Sequence, residues 1–111
     1  MFMVATEAAL LEGAVRLNPA VVLVDMSLSA GDLNGLLGRV VARAPGAKVL
    51  VLSVHDERTV ADATLAAGAD AVVLKRSLAT DLMPAVDAVL AGQRYLSPGI
   101  FNEVDFKTFK R

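Results

Sequence analysis

The chain has no cysteine and no tryptophan, and aromatic residues make up only 5% of its 111 positions. Without cysteine there are no disulfides and no thiolate metal sites, and the chain suits a reducing cytoplasm. Charge of either sign is also not in excess. Eleven Lys+Arg against twelve Asp+Glu leave a net charge of −1. That balance gives no electrostatic basis for direct nucleic-acid binding or for attraction to an acidic membrane. No apolar run approaches the roughly 20 residues that span a bilayer. No basic segment precedes an apolar one at the start, so residues 1–20 do not read as a signal peptide. A single histidine, His55, without a ligand cluster around it, argues against a metallohydrolase. Repeats and low-complexity tracts are absent as well.

What is present is aliphatic. Hydrophobic residues reach 55%, mostly Ala, Val and Leu. This is enough for one small domain with a real core. Three short runs are apolar without alternation: residues 21–24, 49–52 and 71–74. Such runs predict strands buried on both faces, as in a parallel sheet covered by helices. Residues 1–5 form a further short apolar run. Between the runs lie segments with helical periodicity. Thr6 caps the first, with Leu10, Leu11, Ala14 and Val15 on one face, and Asn18-Pro19 stops it. After a polar loop over 27–34, a second helix buries Leu36, Leu37, Val40, Val41 and Ala44. A third, capped by Asp56, turns Val60, Ala63, Thr64 and Ala67 inward and stops at Gly68. A fourth starts near Thr80 or Asp81, takes Pro84 in its first turn, and buries Leu82, Val86, Val89 and Leu90. Strand–helix alternation of this kind predicts an α/β parallel sheet flanked by helices, with right-handed crossovers.

In an open parallel sheet, chemistry collects at the carboxyl ends of the strands. Each of the three buried runs ends in a polar residue: Asp25, Ser53 and Lys75. A carboxylate, a hydroxyl and an ammonium at one sheet edge suit phosphoryl transfer onto the carboxylate. Asp25 is then the nucleophile, Lys75 pairs with a phosphoryl oxygen and Ser53 donates a hydrogen bond to another. A divalent cation held by carboxylates would neutralise the transferring group. Singly, each residue has an ordinary explanation: a turn former, a helix cap, a solvated surface charge. Their placement at successive strand ends is what favours the site. A nucleotide-binding site of another kind finds little support. No glycine-rich phosphate loop follows a strand, and Ala30-Gly31 and Asn34-Gly35 are too sparse.

The segments Pro19-Ala-Val-Val-Leu-Val-Asp25, Lys48-Val-Leu-Val-Leu-Ser53-Val-His-Asp56, Ala67-Gly-Ala69, Val73-Leu-Lys75 and Ala91-Gly-Gln-Arg-Tyr-Leu-Ser-Pro98 occur in this order. Together they resemble the receiver domains of two-component response regulators, of the type that precedes a LuxR-type helix-turn-helix. The resemblance covers residues 19–98. It implies a flavodoxin-like (CheY-like) sheet and a phosphorelay function, with a sensor histidine kinase or a small phosphodonor as partner. It also implies Asp25 as phosphoacceptor, Ser53 as switch hydroxyl and Lys75 as the phosphate-pairing lysine. Mg²⁺ would be held by Asp25 and the backbone carbonyl of Ser27. Such a module accepts a group on its own side chain and is not an enzyme.

The chain departs from that pattern at several points. A first strand ending in an acidic pair, and the helix after it, have no counterpart, because residues 1–5 align with the second strand of the resembled domains. A four-stranded, N-terminally truncated sheet is therefore expected. Three arrangements are open: residues 1–5 pair directly with 21–24, two chains supply edges to each other, or the fragment folds poorly. Glu7 and Asp32 are the acids that could substitute in a metal site. Val72 stands where a switch aromatic is usual, and Arg76 where a proline is common. Residues 1–95 read as the receiver-like domain and 96–111 as a linker remnant and tail, with Phe101, Val104, Phe106 and Phe109 available to a partner. The alternative function is a degenerate pseudo-receiver, a homodimerisation or protein-interaction module working through residues 59–67 and 82–90 without phosphorylation.

Overall fold

The computed structural model describes residues 2–3, 20–29 and 31–100. The helix expected after Thr6, Glu7 itself and the Phe-containing tail lie outside the described residues. Five strands form one wholly parallel sheet in the order β1-β2-β3-β4-β5. They are β1 (Phe2–Met3), β2 (Val21–Asp25), β3 (Lys48–Ser53), β4 (Ala71–Leu74) and β5 (Tyr95–Leu96). Helices α1 (Leu33–Arg43), α2 (Arg58–Ala66) and α3 (Leu78–Leu90) follow β2, β3 and β4 in turn. The four strands of the hydrophobic pattern are present. Of the three arrangements open for residues 1–5, direct pairing is found, with Phe2 beside Val22 and Met3 beside Leu23. Among the described residues, no helix is long and apolar enough to cross a membrane.

The unalternated strands explain the layering. Successive side chains leave a strand on opposite faces, so a strand apolar at every position feeds two cores. Val22, Val24, Val49 and Val51 pack on one face with Leu36, Leu37 and Val40 of α1. Val21, Leu23, Leu50, Leu52 and Val73 pack on the other with Ala85, Val86 and Val89 of α3.

The helices differ from expectation in four places. On α1, Val41 is exposed rather than buried. α2 is rotated by about one residue: Ala61 and Thr64 are buried while Ala63 is exposed. The Thr64 hydroxyl tolerates burial because it donates to the Val60 carbonyl at 2.8 Å. Asp56 does not cap α2. Glu57 is the N-cap and makes no side-chain cap bond, because the Asp56 carboxylate is taken by Arg76 at 3.2 Å. α3 begins at Leu78, so Pro84 lies past its first turn and buried Asp81 replaces exposed Leu90 on its inner face. The early start is bonded by the Thr80 hydroxyl, which donates to the Ser77 carbonyl at 3.1 Å.

The fifth strand spans the 95/96 boundary where the sequence reads as linker. Its ladder is extended by a side chain. The Ser97 N–H donates to the Val72 carbonyl at 3.0 Å, and the buried Ser97 hydroxyl accepts from the Leu74 N–H at 3.0 Å. Ser97→Ala leaves that buried N–H without a partner, which costs about 1–3 kcal/mol. A urea midpoint lowered at unchanged slope is the expected result.

Candidate functional site

The strand registers bring the polar ends together. Asp25 pairs opposite Leu52, and Ser53 opposite Leu74, so the residues that end β2, β3 and β4 lie along one edge. Each follows a run of buried aliphatics and stands where the sheet gives way to a turn. A 3₁₀ turn, Met26–Ser29, follows Asp25, and another, Lys75–Ser77, follows β4.

Asp25 and Lys75 meet directly. Lys75 Nζ is 2.7 Å from Asp25 Oδ2, and the Ser27 N–H donates to Oδ1 at 2.9 Å. Partial burial pushes the Asp25 carboxyl up. The hydrogen bond from Lys75, the backbone and hydroxyl of Ser27 and the charge of Lys75 together outweigh that effect, and the net shift is downward. Asp25 is thus held as a carboxylate at neutral pH. Above it opens a cleft of about 370 Å³, walled by Met26, Ser27, Gly31, Leu52, Val54 and His55. Gly31 turns the loop there with a φ of +86°, a region that favours glycine.

Ser53 is at the same edge but is bonded within its own turn. Its buried oxygen accepts from the His55 N–H at 2.9 Å, and its hydroxyl lies 3.5 Å from the His55 carbonyl and 3.7 Å from Met26 Sδ. His55 is exposed, with Nδ1 3.8 Å from the Glu57 carboxylate. Arg76 has a role that its residue type alone does not show. It bridges Asp56 to the backbone after β5, and only its charge and its position beside Lys75 hinted at this.

The described residues do not fit a magnesium site of the kind the resembled domains imply. Mg²⁺ requires several oxygen donors in octahedral array. Asp25 is the single acid among the described residues lining the cleft, and its Oδ2 is held by an ammonium. No group of three His, Cys, Asp or Glu able to hold a metal occurs among the described residues. Asp32, expected as a substitute ligand, instead caps α1: its Oδ1 accepts from the Gly35 N–H at 3.2 Å, and its Oδ2 is 3.8 Å from Arg39.

A parallel five-stranded sheet with an aspartate and a lysine paired at its carboxyl edge defines a receiver-type α/β domain. No family profile matches the chain, but relatives and solved structures do. It is 34% identical over 106 residues to the transcriptional regulatory protein DegU of Brevibacillus brevis, a match covering 90% of this chain and 44% of DegU. It is 33% identical over 98 residues to the response regulator GacA of Pseudomonas protegens, covering 87% and 46%. A LuxR-family two-component response regulator from Aurantimonas superposes with a TM-score of 0.76 at 26% identity, covering 86% of this chain and 69% of that one. The isolated REC domain of RcsB from Salmonella enterica shares the fold at a TM-score of 0.74 and 24% identity, covering 86% and 70%. Over nine-tenths of its length the chain is similar to response regulators, and it has the CheY-like fold of their receiver domains. It spans less than half the length of the curated relatives it matches.

Proposed function

We propose that Asp25 accepts a phosphoryl group from a sensor histidine kinase or a small phosphodonor, and that the domain is the receiver module of a two-component pathway. The observation that carries this reading is the Asp25–Lys75 pair at 2.7 Å under an open cleft. An ionised Asp25 oxygen attacks phosphorus, the bond to the donor's leaving group breaks, and that group departs with the electron pair. Lys75 follows the charge from the carboxylate to a phosphoryl oxygen. Ser53, freed from His55, donates its hydroxyl to another oxygen. The domain keeps the group on its own side chain, so its role is acceptor rather than enzyme. On this reading it works in the cytoplasm.

Intact mass after incubation with acetyl phosphate, with and without Mg²⁺, tests the reading. The expected result is one phosphoryl adduct on the native chain and none on Asp25→Ala. An adduct that survives in Asp25→Ala would sink the assignment of the acceptor. A second reading, the pseudo-receiver that acts as a homodimer or interaction module, rests on one observation: no group of three acids able to hold a metal occurs among the described residues. A folded chain with no adduct, dimerising at micromolar concentration in sedimentation, selects it.

A further inference from the structure

Arg76 follows Lys75 directly, but its side chain serves other partners. Its Nη1 is 3.2 Å from Asp56 Oδ2. Its Nη2 is 3.5 Å from the Gly99 carbonyl oxygen. Asp56 lies in the turn that also holds Ser53 and His55. Gly99 lies just beyond Ser97, whose hydroxyl fastens that segment to Leu74. The approach at Gly99 is close: a Cβ there would sit 3.2 Å from Arg76 Nη2 and 3.1 Å from Leu74 Cδ1. A planar guanidinium has enough donors in a fixed fork to hold a carboxylate and a carbonyl together.

We propose that Arg76 is a positioning residue that ties the turn after β3 to residues 97–100 and carries the state of the Asp25 site to that segment. The second half of this statement rests on the phosphoacceptor reading. Adjacent residues, Lys75 and Arg76, address the site and the segment respectively. The place where an aromatic ring would carry a change holds Val72, a buried aliphatic with no polar side-chain atom. The polar route through Arg76 needs no ring. A phosphoryl group on Asp25 draws the Ser53 hydroxyl away from the His55 N–H, and the turn that includes Asp56 moves. The guanidinium follows the carboxylate, because a charge-assisted bond is stronger than a long one to a neutral carbonyl. The Gly99 carbonyl then loses its donor.

Amide hydrogen exchange in the whole chain reads the tie at two protected positions, the Ser97 N–H on Val72 and the Ile100 N–H on the Ser97 carbonyl. Without any phosphodonor, Arg76→Gln is expected to speed exchange at both by about two- to fivefold, the size an exposed ion pair commands. Gly99→Ala, which displaces the guanidinium, gives the same increase. The paired swap Asp56→Arg with Arg76→Asp restores the ion pair but sets a carboxylate against the Gly99 carbonyl, so exchange stays fast. Unchanged rates in Arg76→Gln, or protection recovered in the swap, would overturn the tie and leave a plain surface ion pair. In a second arm, native chain carrying an adduct verified by mass is expected to exchange faster at Ile100, and Arg76→Gln to show no further increase. An adduct without that change overturns the coupling. If no adduct forms, the phosphoacceptor reading fails and the first arm alone decides whether the tie exists.

Discussion

Leu50→Ala is expected to lower the stability of the domain by about 2–5 kcal/mol, read as a lowered urea midpoint in far-ultraviolet circular dichroism. Leu50 lies on β3, the middle strand of five, paired to β2 on one side and β4 on the other. Its side chain is fully buried in the cluster beneath α3, with Val21, Leu23, Val73 and Val86. Truncation there removes transfer free energy and leaves a cavity that a two-sided strand cannot collapse to fill. Native domains hold about 5–15 kcal/mol in all, so the loss is a large share of the total. Leu50→Met keeps the volume and should cost under about 1.5 kcal/mol. A Leu50→Ala effect as small as that of Leu50→Met would contradict the central placement of β3.

The second large effect belongs to Lys75. Lys75→Ala removes the cation that meets Asp25 Oδ2. Removing one preorganised electrostatic donor from a reacting centre slows a reaction on the order of 100-fold. The rate of adduct formation from acetyl phosphate is expected to fall by about that factor. Lys75→Arg should not rescue it fully, because a flat fork does not occupy the place of a point charge. The same variant bears on acidity. In the native chain, the Lys75 and Ser27 contacts outweigh burial and depress the Asp25 pKa. A depressed carboxylate contributes stability above its unfolded value and loses it as pH falls through the folded value. In Lys75→Ala, burial remains and the main opposing contact is gone, so the folded pKa rises and this acid-sensitive contribution shrinks. Carboxyl carbon shifts followed against pH should place Asp25 lower in the native chain than in the variant. Equal midpoints would mean that the pair does not persist in solution.

The sequence was most legible where chemistry is local. The unbroken aliphatic runs marked β2, β3 and β4 to within a residue, since only a strand covered on both faces uses such a run. The same runs pointed to Asp25 and Lys75, because a polar residue directly after a buried strand emerges at the sheet edge. Less local features were not legible. Arg76 and Asp56 pair across separate loops, and a charge in a loop gives no sign of its partner. Tyr95–Leu96 is too short to show a period, and its pairing with β4 is completed by a serine hydroxyl. Pro84 marks a first turn in the sequence, whereas bonding by Thr80 sets the start of α3 at Leu78. Ser53 ends an aliphatic run and so stands at the edge, but its bond to the His55 N–H depends on turn geometry that residue type does not specify.

The all-parallel sheet has a consequence for how the domain is made. Parallel neighbours are joined only by crossovers, so every pairing closes a long loop before any contact rewards it. Asp25 ends β2 and Lys75 directly follows β4, two strands that never touch, and they meet only because both strands pair with β3. Until the β2–β3 and β3–β4 ladders have both closed, the aspartate is an ordinary solvated acid without its cation. The Asp25–Lys75 pair and the completed sheet therefore arrive together. On the phosphoacceptor reading, a half-made or misfolded copy cannot be charged, and so cannot send a false signal.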